Sequence, residues 1–494
     1  MPDSEQESYS LNEMMHRLRA KSDAPSEDAP QLVTREDGTQ VMRVKKRKRR
    51  TRQPHKEIEA KRRKRTLFFV SLAVVLTISF ALGVLAWVLH LNGASYREGV
   101  VEDITKWTGS EVRVQGFRAT PLSVAADNID FQWQDGSLVE SLKVGAIRGD
   151  LLLSSHLTGE WQGEMISATS GKMILAANPG QDKPAFQLPG DTLPFQTDFG
   201  VARLYIRTGS AGRPAFQLSE TSASLTIPNP AVKSANMLFE GGTLGLQNWG
   251  EFKLSSASFT LNSEGLSLSS LRMSPTSYPK VRIQLRGKGH DPIPLDGGVS
   301  EFGMTLTDMP AAFLFGSDFA RLFDATLNTP EGAMDSELQM DVTRLDTLKI
   351  SGPLIVSSSA HLKFHDFEFF EVLAKALGST RYVQPRFDPE SSIIFEKSSD
   401  TVRIKEMRVD ADGVIRIRGN IELVHSRLGG TLEIGVPGDA MEGPAYELIR
   451  RVFDRKSDGY RWAKVNLSGT AREPEDNLSQ QFESVMADSS PEME

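Results

Sequence analysis

Between residues 281 and 436 the chain repeatedly alternates apolar and polar positions. Val281, Ile283 and Leu285 fall on one side and Arg282, Gln284 and Arg286 on the other. Leu338, Met340 and Val342 alternate with Gln339 and Asp341, and Val402 and Ile404 with Arg403 and Lys405. Ile415 and Ile417 alternate with Arg416 and Arg418, Ile421 and Leu423 flank Glu422, and Leu432, Ile434 and Val436 follow the same rule. Period two over runs this short predicts strands with one apolar and one polar face. Asp412-Gly413, between two such runs, reads as a hairpin turn. Gly241-Gly242 and Gly429-Gly430, each ahead of a Thr-Leu pair, read as turns before strand starts. Parallel pairing needs long crossovers, usually helical, and few helical segments interrupt the strands. The expectation is all-β: a long antiparallel meander of roughly 25 strands, about 120 Å from end to end at a spacing of about 4.8 Å.

Three short helices break this pattern. Residues 96–107 carry Val100, Val101, Ile104 and Trp107 on one side and close at Thr108-Gly109. Residues 367–377 follow Asp366 as a candidate cap and stop at Gly378. Residues 445–453 place Leu448, Ile449 and Val452 at helical spacing. A loop at 178–195, with Pro179, Pro184, Pro189 and Pro194, separates a first strand group from a longer second one.

Upstream, residues 67–89 form an uncharged apolar run of 23 residues. As a helix it is about 34 Å long, enough for a hydrocarbon core of about 30 Å. It is too long for a signal-peptide core and lies too far from the N-terminus, so it predicts a retained transmembrane helix over 66–90. Residues 43–65 hold 14 Lys and Arg immediately before it, whereas the downstream flank is mixed in charge. That bias places the N-terminus in the cytoplasm and the rest across the membrane. Without interleaved aromatics for base stacking, the basic block reads as a topology determinant that grips anionic headgroups. Arg49, Arg50, Lys61, Arg62, Arg63, Lys64 and Arg65 are the candidate contacts. Residues 1–42 read as a loose polar tail. Within it, Ser10 and Glu13 form a capping box, and Leu11, Met14, Met15 and Leu18 make a short amphipathic helix suited to a cytoplasmic partner.

Charge separates the halves. Residues 1–65 carry 18 basic and 11 acidic side chains, against 39 and 53 in residues 91–494. Cysteine is absent, which excludes disulfides, thiolate metal sites and cysteine nucleophiles. His361 and His365 lack further ligands nearby, and Asp410-Ala-Asp412-Gly413 lacks the remaining acidic positions of a calcium loop. Ser277-Tyr-Pro-Lys280 matches an S-x-x-K string, but Pro279 prevents the helical turn that pairing needs. No cofactor, metal or catalytic site is expected, and no nucleic acid. The Phe364, Phe367, Phe369 and Phe370 cluster reads as core rather than ligand contact.

The chain beyond the anchor resembles the AsmA-like proteins of Gram-negative envelopes. Ile104-Thr105-Lys106-Trp107-Thr108-Gly109, Val112-Arg113-Val114-Gln115-Gly116, Pro121-Leu122 and Ile129-Asp130-Phe131 are similar to that family's helix, turn and first strands after the anchor. Residues 413–432 and Trp462…Gly469-Thr470…Pro474…Asn477-Leu478 resemble its closing strands. The long basic tail departs from the family's pattern. The resemblance implies a curved, U-shaped sheet with an apolar concave face over residues 91–475; the acidic residues 476–494 after it read, by composition, as a loose tail. The resemblance also implies an inner-membrane, single-pass protein of envelope biogenesis that binds or conducts phospholipid in the periplasm. A structural tether without lipid transport, pairing with envelope proteins through its sheet edges, is the alternative, and an exported β-helix enzyme fits the irregular hairpins poorly. On the lipid reading, the groove candidates are Val281, Ile283, Leu285, Leu338, Met340, Val342, Val402, Ile404, Ile415, Ile417, Ile421, Leu423, Leu432 and Ile434.

Overall fold

The computed structural model describes residues 12, 15, 16, 19, 31–43, 53–154, 161–176, 195–209, 212–227, 234–262, 265–288, 291–294, 298–332, 336–342, 344–357, 362–389 and 391–489. They divide into two compact units, 1–84 and 85–494.

In the first unit, the tail expected to be loose contains a hairpin of β1 (Gln31–Thr34) and β2 (Gln40–Arg43). Asp37 and Gly38 turn it, with the Asp37 carboxylate accepting from the Thr39 amide. Met15 is exposed, and Leu11, Met14 and Leu18 lie outside the described residues. A helix, Gln53–Leu91, runs without a break from the basic block through the apolar run. Its segment Lys56–Leu91 is long and apolar enough to cross a membrane.

The second unit is a large curved sheet built on a short helix. Asn92 exchanges two hydrogen bonds with the Ala119 backbone (2.7 and 2.9 Å), and helix Ala94–Thr108 ends at Gly109 in the left-handed region. The Trp133 indole donates to the Thr108 carbonyl, fixing that helix to the first strands.

The first strands are β3 (Glu111–Gln115), β4 (Arg118–Thr120), β5 (Ser123–Gln132), β6 (Val139–Asp150) and β7 (Trp161–Leu175). They continue as β8 (Phe195–Thr208), β9 (Phe216–Thr226), β10 (Ser234–Glu240), β11 (Thr243–Leu246), β12 (Gly250–Asn262) and β13 (Gly265–Pro275). β3 and β4 both pair with β5, and the ladder then runs antiparallel from β5 to β13 except at β7 and β8, which are parallel. The proline-rich stretch expected as a loop at 178–195 lies outside the described residues up to 194, and the strands on either side of it pair within one sheet. β10 and β11 are one strand broken at Gly241-Gly242, since both halves pair with β9 and with β12. The glycine pair is therefore an interior break and not a hairpin turn. A side chain on Gly242 would meet the Ser219 carbonyl at 2.5 Å.

The ladder goes on through β14 (Arg282–Gly287), β15 (Val299–Thr307), β19 (Ser336–Asp341), β20 (Arg344–Val356) and β22 (Ser392–Lys397). It finishes with β23 (Thr401–Ala411), β24 (Ile415–Val424), β25 (Arg427–Pro437) and β27 (Tyr460–Gly469), with β26 (Arg455–Ser457) and β28 (Pro474–Asp476) on the far side of β27. Short β16 (Met309–Pro310) and β18 (Thr326–Asn328) attach at β20, and β17 (Phe323–Asp324) with β21 (Lys363–Phe364) forms a separate pair. The pairings close on themselves only locally, around the broken strand β10/β11. Among the described residues no register joins β3 or β4 to β28.

Gly413 makes the expected turn between β23 and β24. Gly429-Gly430, in contrast, lies inside β25, and the turn before it is made by His425 and Ser426, both at positive φ. Gly430 is needed for close approach, because a Cβ there would meet the Asn420 carbonyl at 2.4 Å. Residues 277–280 form the turn between β13 and β14.

A crease crosses the strands from β3 to β12 at one level. Gly116, at positive φ, separates β3 from β4. The registers then skip Asp127, Ala146, Thr169 and Ala202 on successive strands. Glu220 takes positive φ on β9, Gly241 and Gly242 break the next strand, and β12 shifts between Leu254 and Ser256. An extra residue bends a strand and moves its inward-facing positions by one. Inward residues of β5 accordingly run Val124, Ala126, then Ile129, Phe131.

Past β13 the alternation is cleaner, and helices fill the apolar face. Helices Ala311–Phe315, Ser317–Leu322 and Glu368–Leu377 send Phe315, Phe319, Phe369 and Phe370 into the main core. Phe315 packs edge-on to Phe395 of β22, with ring centroids 5.3 Å apart. The phenylalanine cluster is core, joined to Phe323 and Phe387. Asp366 does not cap its helix. The cap is remote: the Phe369 amide donates to the buried Asp476 carboxylate (2.9 Å), whose other oxygen accepts from the Leu478 amide (3.1 Å). The C-terminal segment, expected to be loose, forms helix Leu478–Ser489, with Leu478 and Phe482 buried.

Candidate functional site

The registers align inward side chains into rows that run across the strands. Above the crease, Val124, Gly149, Ile166, Phe199, Leu225, Met237 and Phe259 form one row from β5 to β12. Beside it, Ala126, Ile147, Ala168, Val201, Ala223, Phe239 and Ala257 form a second. Below the crease Val114, Ile129 and Val144 continue across β3, β5 and β6 to Gly171 and Leu204. All these side chains are apolar.

The first row is the least covered. Ile166, Phe199, Leu225, Met237 and Phe259, on five consecutive strands, are all only half-buried. Phe199, Leu225 and Met237 belong to neither core cluster of the described residues. Alanines in the second row keep its floor low and well buried, as at Ala126, Ala168 and Ala257. The strip spans roughly 20 Å at about 4.8 Å per strand. A contiguous apolar surface of this size on a folded unit marks a binding surface more often than bare solvent contact.

The residues singled out by alternation lie elsewhere. Val281, Ile283, Leu285, Leu338, Val402, Ile404, Ile415, Ile417, Ile421, Leu423, Leu432 and Ile434 are all buried in the main core. Met340 packs against that core and Val342 is half-buried. Side chains of the protein, not an open trough, lie against them. One cavity there, of about 30 Å³, is lined by Phe315, Phe319, Leu354, Ile404, Met407 and Ile421 and has room for about one water. The helices inserted at 311–322 and 368–377 bury their phenylalanines in the same core as these residues.

Lys61, Arg62, Arg63, Lys64 and Arg65 are exposed on the long helix directly before its apolar part, while Arg49 and Arg50 lie outside the described residues. His361 also lies outside them, and the His365 amide donates to the Leu322 carbonyl. Among the described residues no three His, Asp or Glu side chains converge as metal ligands. Asp410 pairs with Arg416 across the hairpin at 2.6 Å. Lys397 sits over the Trp249 ring at 5.6 Å, and burial pushes its ammonium pKa down.

The row of Phe199, Leu225 and Met237 was missed by alternation because the crease interrupts period two on each of its strands. The usable signal was the slip itself: two apolar residues spaced by two, a gap of three, then two more. No family model matches the chain, and no curated protein or solved structure matches it either.

Proposed function

We propose that the protein is a single-pass membrane protein that holds or conducts phospholipid acyl chains on the apolar face of its β5–β12 strands. One observation carries this reading: the row Ile166, Phe199, Leu225, Met237 and Phe259 is apolar, continuous over five strands and half-exposed. Acyl chains need length and apolar contact but no polar recognition, which such a row supplies. The exposed basic residues 61–65 before the membrane segment support a cytoplasmic N-terminus against anionic headgroups. On this reading the sheet lies on the far side of the inner membrane, in the periplasm of a Gram-negative envelope.

The test is a photo-reactive residue placed at Met237, and separately at Ile417, in the full-length protein expressed in membranes. Phospholipid adducts at Met237 but not at Ile417, identified by mass spectrometry after mild extraction, are expected. Absence of lipid adducts at Met237, with protein adducts in their place, would overturn the lipid reading in favour of the tether.

A further inference from the structure

The opposite, polar side of the same strands carries a hollow of about 340 Å³, lined by Gln115, Asn128, Asp130, Lys143, Gly145, Ser170 and Lys172 among others. Two cross-strand rows build it. Gln115, Asn128, Gly145 and Ser170 are register partners across β3, β5, β6 and β7. Arg113, Asp130, Lys143 and Lys172 are partners in the adjacent row. Gly145 makes the depression, since a Cβ there would come within 2.9 Å of Ser170 Oγ and 3.4 Å of Asn128 Oδ1.

The charges in this row do not balance. Asp130 is 3.8 Å from Lys143, while Arg113 at the far end of the row is paired with Glu111 at 2.8 Å, which with the weaker pull of Asp130 holds its pKa up. Lys172 stands directly opposite Lys143, and among the described residues no carboxylate pairs with it. Like charges facing each other across an antiparallel pair are unfavourable, with Cβ atoms about 5 Å apart. An anion seated between the two ammonium groups would relieve this, and the Ser170 hydroxyl with the Asn128 and Gln115 amides offers neutral donors beside it.

We propose that this hollow binds a phosphate group, with Lys143 and Lys172 as the charged clamp and Gly145 as the floor. A soluble phosphate monoester and a phospholipid headgroup share that chemistry. The volume, at the small end of ligand pockets, suits a phosphate with a short polar substituent.

The experiment uses the full chain in phosphatidylcholine nanodiscs, titrated calorimetrically with glycerol 3-phosphate, and in parallel with vesicles with and without phosphatidylglycerol. Two variants accompany wild type: Lys172→Gln and Gly145→Ala, each checked by thermal unfolding. Binding of the soluble ester, weakened about tenfold or more in both variants, supports the site with a free ester as ligand. Binding only to phosphatidylglycerol vesicles, weakened in both variants although residues 61–65 are unchanged, supports it with a headgroup as ligand. Absence of binding in both arms, or binding that neither variant weakens, overturns it. Because the hollow and the acyl-chain row lie on opposite sides of the strands, either result stands apart from the photo-crosslinking at Met237.

Discussion

The strands before and after residue 276 use one architecture to opposite ends. In the later strands the inward residues Ile415, Ile417, Leu432 and Ile434 are fully buried, in one core with the phenylalanines of the helices that insert between β16 and β22. In the earlier strands the corresponding face has small residues, a crease and a half-exposed row through Phe199 and Met237. Insertion adds to that difference in strand composition: the chain between β15 and β22 supplies its own phenylalanine-rich cover. An apolar sheet face is a core only where something is provided to lie on it.

That contrast is sharpest under a buried charge. Ile417→Asp, an unpaired carboxylate in a fully buried site, should destabilise the later strands by more than about 4 kcal/mol, read from denaturant midpoints. Met237→Glu, on the half-exposed row, should cost less than about 1 kcal/mol and, on the proposed lipid reading, reduce co-purified phospholipid. Equal losses from the two would erase the distinction between the regions.

The remote cap comes next. Asp476→Ala should cost about 2–3 kcal/mol, because it leaves the Phe369 and Leu478 amides without their acceptor. Burial holds the Asp476 carboxyl above the ordinary aspartate value of 3.8, against the pull of those two amides, and the nearby Glu368 charge adds to the rise. The folded state therefore favours its protonated form. Its contribution is fully present below pH 3.8 and falls as pH rises through the higher folded value. Asp476→Asn should flatten that part of the stability-against-pH curve, and an unchanged slope would locate its origin elsewhere.

Within the crease, Gly242→Ala places a Cβ 2.5 Å from a backbone carbonyl at a φ of +94°. We expect a loss of about 1–3 kcal/mol in thermal unfolding, confined to the earlier strands. At the small end, removing the exposed Arg403–Glu422 pair across β23 and β24 with Arg403→Ala should change stability by less than about 1 kcal/mol.

These two regions also differ in how well the sequence reveals them. Val281-Arg-Ile283-Gln-Leu285 and Ile415-Arg-Ile417 name their strands and inward sides correctly, because nothing interrupts the period there. What those residues meet was not legible, since alternation reports a face and not its cover. Helices 96–107 and 367–377 were legible from spacing and from Gly109 and Gly378, both left-handed as their positions require. The β7–β8 pairing and the Asp476 cap were not, because each depends on contacts between residues far apart in the chain. Gly242 and Gly430 looked like turn glycines but serve close backbone approach inside the sheet, a need set by neighbouring strands alone.

The Asp476 clasp on Phe369 spans 107 positions. For a polypeptide synthesised from its amino end, the helix packed in the later core waits for its fastening until the last strand, β28, has been made. Completion of the greasy interior is thereby tied to arrival of the final segment, and chains cut short before β28 would present unfinished phenylalanine surface to quality-control proteases.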